Sequence, residues 1–247
     1  MIPKTFSGFR AVAFALLLAL VCSIPASAAL QVQQLIGFGA GGGTGAKVLT
    51  WKGSSTSTSD LTTYTFSSAD IGVASSDRYV IVAVTGGPNN RTVSSLTVGG
   101  VSATLVVEQV SAAASYTVSM WIANVTSGTT GDIVVTWSAG QTRTGIGWWT
   151  ATGLSSGTAN DSGGSTASPG TDTLNVLEGG FAVAAIVNIE TGTDTVTWTN
   201  LTEKYDELYE SVNQSGASDA TTAGTLVITA TYSSSGSNNN AFVAASW

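Results

Sequence analysis

An all-β fold, an antiparallel β-sandwich of the jelly-roll or concanavalin-like kind, is what three features of this 247-residue chain predict. Two short runs, residues 78–85 and 180–188, are apolar and β-branched at odd and even positions alike, so a strand built from either must be covered on both faces. Between residues 95 and 107 two alternating runs flank Gly99-Gly100, the signature of a two-residue hairpin whose central positions take positive φ. Nothing between the apolar runs is long enough for a crossover helix, which favours antiparallel pairing.

Residues 1–28 read as a signal peptide: Lys4 and Arg10, an apolar run over 11–24, then Ala26-Ser-Ala28 as a small-x-small cleavage signal. Cys22, the single cysteine, lies inside that run, so the mature chain has no thiol and needs a real hydrophobic core. No later segment reaches the roughly 18 apolar residues of a spanning helix. Residues 29–45 are expected to be an N-terminal strand or arm (29–34) followed by a Gly-rich linker. The glycines of 37–45 lack the Gly-Lys-Ser/Thr of a phosphate-binding loop.

One sandwich domain is expected over 46–247. Strands are predicted at 47–52, 62–66 and 78–85, with a turn or single helical turn over 67–72. The hairpin follows, then strands at 116–125, 132–137 and 143–150, a Ser/Gly/Thr loop over 155–171, and a short strand at 173–176. The second covered strand at 180–188 and strands at 193–199, 201–209, 225–232 and 241–247 complete about a dozen, spaced as in a sandwich or jelly roll. A transmembrane barrel fits poorly, because the 78–85 and 180–188 runs do not alternate.

Charged residues make up 9% of the chain against about 25% in ordinary domains, and the balance is acidic. Phosphate backbones would be repelled, which excludes nucleic acid as a partner. There is no histidine, which removes Ser-His-Asp and Cys-His nucleophilic sites and most transition-metal sites. Carboxylates cluster once, at Glu203-Lys-Tyr-Asp-Glu-Leu-Tyr-Glu210. On a strand, Glu203, Tyr205, Glu207 and Tyr209 share one face, and Asp206 and Glu210 the other. Glu203 and Glu207 would then lie about 13 Å apart, wider than the roughly 5 Å of a retaining or 6.5 to 9.5 Å of an inverting glycosidase. Glu203, Asp206, Glu207 and Glu210 are candidate calcium ligands, against the plainer reading of a solvated strand.

Most tryptophans fall in predicted strands and read as core. Trp148 and Trp149 are adjacent, so one would face outward unless the strand is covered on both sides. Trp148, Trp149, Tyr205 and Tyr209 are therefore the candidate ligand-stacking rings. No catalytic residue and no cofactor is indicated.

The domain carries a set of distinctive phrases: Val98-Gly-Gly-Val-Ser-Ala-Thr104, Trp121-Ile-Ala123, Gly145-Ile-Gly-Trp-Trp149, Glu178-Gly-Gly-Phe-Ala182, Leu201-Thr-Glu-Lys-Tyr-Asp206, Ser215-Gly-Ala-Ser-Asp219 and Ala244-Ala-Ser-Trp247. Together they resemble uncharacterised β-rich proteins of tailed bacteriophages and of prophage-like regions in proteobacterial genomes. The resemblance implies a virion-associated or surface module for receptor or glycan contact. The function expected is thus a non-enzymatic, exported or virion-surface sandwich for binding or adhesion, with cell-surface glycan as the target class. The alternatives are a secreted concanavalin-like carbohydrate-active enzyme and a filament subunit, a homo-oligomer built by strand addition of the 29–34 arm.

Overall fold

The computed structural model describes residues 46–113, 115–189, 194–233 and 239–247, which belong to one compact unit, Thr44–Trp247. The expected signal peptide (1–28) and N-terminal arm (29–45) lie outside the described residues. Seventeen strands form among those described, with no helix long and apolar enough to cross a membrane.

The strands divide into two consecutive repeats. The first runs through β1 (Val48–Ser57), β2 (Leu61–Asp70), β3 (Tyr79–Gly86), β4 (Val93–Val98), the two-residue β5 (Val101–Ser102), β6 (Thr104–Val110), β7 (Thr117–Asn124), β8 (Thr130–Gln141) and β9 (Thr144–Thr152). The second comprises β10 (Asp161–Ser165), β11 (Gly170–Val176), β12 (Phe181–Ile189), β13 (Val196–Thr199), β14 (Glu203–Tyr209), β15 (Val212–Ala220), β16 (Gly224–Tyr232) and β17 (Ala241–Ser246). Each repeat builds a five-stranded sheet, β1-β9-β3-β7-β6 and β10-β17-β12-β15-β14, and a smaller one, β2-β8-β4-β5 and β11-β16-β13. With β5 taken as the start of β6, the two orders are the same. In each repeat the first strand pairs with the last, the last with the third and the third with the sixth, while the second pairs with the seventh and the seventh with the fourth. That is jelly-roll order, present twice.

The two five-stranded sheets face each other at the centre, and each smaller sheet covers the outer side of its own partner. The result is four layers with three apolar seams. Ile81, Met120 and Trp149 meet Val183, Val187 and Val243 in the middle seam. Val80, Val82, Trp121 and Trp148 meet Leu96, Val135 and Trp137 in one outer seam, and Ala184, Ile186 and Phe242 meet Ile228 and Leu174 in the other. The sequence reading expected a single sandwich; the structure stacks two. The two covered runs are now the equivalent third strands, β3 and β12, both buried along nearly their whole length as their unbroken apolar pattern requires.

The predicted hairpin turn is present, with Gly99 at φ 56° and Gly100 at φ 80°. The expected turn over 67–72 is instead a continuation of β2 through a bulge at Ser68, where the register to β8 shifts. The 155–171 loop contains β10, which pairs with β17. β15, which no apolar pattern announced, is a central strand between β12 and β14.

Among the described residues one charged side chain is buried in this frame. Arg78, 1% exposed, precedes β3 and donates from Nε to Val125 O at 2.7 Å, from Nη1 to Gly72 O at 2.6 Å and Gly128 O at 2.9 Å, and from Nη2 to Ser127 O at 2.7 Å. Burial lowers its pKa, opposed by the nearby Asp70 carboxylate. The guanidinium clasps the loop before β3 to the β7–β8 loop.

Candidate functional site

All four rings predicted to stack on a ligand are core side chains. β9 is covered on both sides, so Trp148 turns into the outer seam, where its Nε1 donates to Asp70 O at 2.8 Å. Trp149 turns into the middle seam and donates to Ser218 Oγ of β15 at 2.9 Å. Tyr205 is stacked on the Trp51 ring at 5.2 Å and 14°. The rings approach so closely because β9 and β15 carry glycine there: a Cβ on Gly147 or on Gly216 would lie 2.3 Å from Tyr205 Cε1. Tyr209 is bonded to Thr85 Oγ1 of β3 at 2.9 Å. Burial pushes both tyrosine pKa values far up, so both hydroxyls stay protonated. None of these four rings offers an open face to a ligand.

The acidic segment is dispersed in a corresponding way. From Tyr205 onward the strand alternates as expected, but each carboxylate is engaged by a different neighbour. Glu207 accepts from Gln214 Nε2 at 2.9 Å and from the Ser54 hydroxyl of β1. Asp206, on the opposite face, accepts from Val196 N at 2.9 Å and Asn213 Nδ2 at 3.0 Å. Glu210 pairs with Arg143, which also donates to Ser211 Oγ at 2.7 Å. Glu203 is exposed on the far side of a register shift; partial desolvation of its carboxyl, with Asp206 nearby, raises its pKa. Glu203, Asp206, Glu207 and Glu210 thus form no calcium cage. Among the described residues no three acidic side chains converge on a common metal position.

What the segment does form is a polar chain across the middle seam, part-buried at Ser54 and Glu207 and buried at Gln214, Thr85 and Tyr209, drawn from β1, β14, β15 and β3. It ties the first repeat to the second. Sequence reasoning found Glu207 and Tyr209 but not their partners, because β15 carries no apolar alternation to mark it as a strand.

The other end of the middle seam is different. There β6 of the first repeat approaches β10 of the second, the counterpart of β14 approaching β1. Where β1 and β14 supply Trp51 and Tyr205, β10 reads Asp-Ser-Gly-Gly-Ser and β6 supplies Leu105, Val106 and Val107. Beside them, between β5, β6 and β7 on one side and residues 157–159 with Ser162 of β10 on the other, lies a groove of about 520 Å3. Its walls are the Tyr79 ring, the apolar side chains of Val101, Leu105 and Ile122, and the hydroxyls of Ser102, Thr104, Thr158 and Ser162. Leu105 is 44% exposed. No lining residue is charged. Such a surface can take an apolar ring face and bond to neutral hydroxyls. The groove had no sequence signature, since its lining comes from separate strands and a loop, Tyr79, residues 101–106, Ile122 and residues 157–162, that only the fold brings together.

No protein-family model matches the chain, and a search of curated proteins returns no match.

Proposed function

We propose that the protein is a non-enzymatic, exported or particle-surface module that binds a neutral cell-surface glycan in the groove between β6 and β10. The observation that carries this reading is the groove's lining. Its volume, about 520 Å3, falls within the size range of ligand pockets. An aromatic ring beside a ring of uncharged hydroxyls matches a sugar, which presents an apolar C–H face and a rim of hydroxyls. Binding is favoured over hydrolysis because a glycosidase sets two carboxyl groups about the scissile bond, and the groove lining includes none. Export or virion display rests on the sequence alone, on residues 1–28, which lie outside the described residues, and on the resemblance; any filament role for the 29–34 arm likewise lies outside the described residues.

A glycan array probed with the purified chain tests the proposal. A neutral glycan is expected to bind, and Tyr79→Ala and Leu105→Ser each to weaken it by about tenfold, roughly 1.4 kcal/mol, with the melting transition of Leu105→Ser unchanged. Binding that survives both substitutions would place the site elsewhere; release of shortened sugar would make the protein an enzyme.

A further inference from the structure

The polar chain across the middle seam contains an unusual encounter. Thr85 Oγ1 lies 2.7 Å from Gln214 Oε1, and both side chains are fully buried. Which end of the carboxamide faces Thr85 is fixed from the other side. Gln214 Nε2 donates to Glu207 Oε2 at 2.9 Å, and a carboxylate accepts only from the nitrogen. Gly145 of β9 makes room for this group: a Cβ there would lie 2.3 Å from Gln214 Oε1 and 2.6 Å from its Cδ. Thr85 Oγ1 also reaches Gly145 O at 3.3 Å, so hydroxyl and carboxamide are pressed together over one glycine.

We propose that Thr85 and Gln214 condense into an ester that covalently joins the two repeats. The Thr85 Oγ1 to Gln214 Cδ bond forms, the Cδ to Nε2 bond breaks, the hydroxyl proton passes to the departing nitrogen, and ammonia leaves. The atoms balance without an oxidant, a reductant or a second substrate. Two groups held in contact by a folded scaffold react as though at very high concentration. The part-buried Glu207 carboxylate sits against the nitrogen as positive charge builds on it, where a fixed, preorganised anion stabilises that charge. Ser54 and the Gln214 amide together hold that carboxylate in place. Tyr209, kept protonated by burial, bonds to the attacking oxygen at 2.9 Å and completes the chain. Exclusion of water denies the carboxamide its competing nucleophile and protects the ester once made. A mature chain without cysteine would thereby gain a cross-link between residues 129 positions apart.

The inference is independent of the glycan proposal, since the ester lies outside the groove. Intact-mass measurement of the purified, aged full chain is expected to show a deficit of one ammonia. Peptide mapping should place it in a joined pair containing Thr85 and Gln214, separated again by hydroxylamine. Thr85→Ser keeps the hydroxyl and is expected to cross-link. Thr85→Val is expected to carry its full sequence mass while circular dichroism shows an unchanged β spectrum, and Glu207→Gln to lose ammonia at least tenfold more slowly. Should Thr85→Val not fold, the Glu207→Gln time course carries the test. A wild-type chain that stays at its full sequence mass overturns the proposal, as does an ammonia deficit that persists in Thr85→Val or a conversion of Gln214 to glutamate by water.

Discussion

Replacing Trp149 by alanine is expected to destabilise the protein by about 3 to 5 kcal/mol, the range for deleting a large buried aromatic side chain, measured as a lower midpoint of urea unfolding. Trp149 has no exposed surface, meets Trp51 edge-on at 4.9 Å and bonds across the middle seam to Ser218. Its removal empties a volume shared by both repeats, and Gly147 and Gly216 beside it supply no side chain to fill the space. The loss should therefore fall on the single cooperative transition of the whole domain, not on one repeat. Val227→Thr serves as the comparison: that side chain is 48% exposed, and the change should stay within about 0.5 kcal/mol. A Trp149→Ala chain of nearly parental stability that had lost glycan binding would restore the ring to a ligand-stacking role.

Arg78→Met is the second large effect, expected at about 3 kcal/mol or more. Methionine approximates the aliphatic stem but leaves the carbonyls of Gly72, Val125, Ser127 and Gly128 without their donor, and hydrogen bonds to a charged group are worth roughly 1.5 to 3 kcal/mol each when lost singly. Arg78→Lys should recover only a fraction, because one ammonium cannot fan out to four carbonyls as a planar guanidinium does. Hydrogen exchange gives the local reading: amides near the clasp, such as Ile71 N bonded to Thr129 O, should exchange faster than those at the β12–β15 ladder. Uniform acceleration everywhere would mean that the clasp is no local device.

The sequence marked β3 and β12 because a strand covered on both faces must be apolar on both, and it marked the Gly99-Gly100 turn because only glycine takes that geometry at no cost. The doubling of the fold was harder to see. It resides in strand order, which local pattern does not encode, and only fragments betray it, such as Gly131-Asp-Ile-Val-Val-Thr136 beside Gly224-Thr-Leu-Val-Ile-Thr229. β15 was missed because a strand whose Gln214, Ser215 and Ser218 are satisfied by neighbouring strands needs no apolar alternation. The same hidden strand supplies Gln214, the link between Glu207 and Thr85, so the Glu203 to Glu210 segment was recognised as unusual while its actual partners were not. For Trp148 and Trp149 the sequence left two cases, an outward ring or a strand covered on both sides, and β9 is the second.

The repeats follow one another through the short stretch between Thr152 and Asp161, and Lys47 and Trp247 line one small pocket together with Leu154 and Ser155. Both ends of the domain and the junction between its halves therefore meet at a single place. A circular permutant that links Trp247 to Lys47 by a few residues and opens the chain near Ser156 would synthesise the second jelly roll first. It is expected to reach the same four layers, with a far-ultraviolet spectrum and a melting transition close to the parent's, because the order of the two halves along the ribosome's product is not part of what the packing requires.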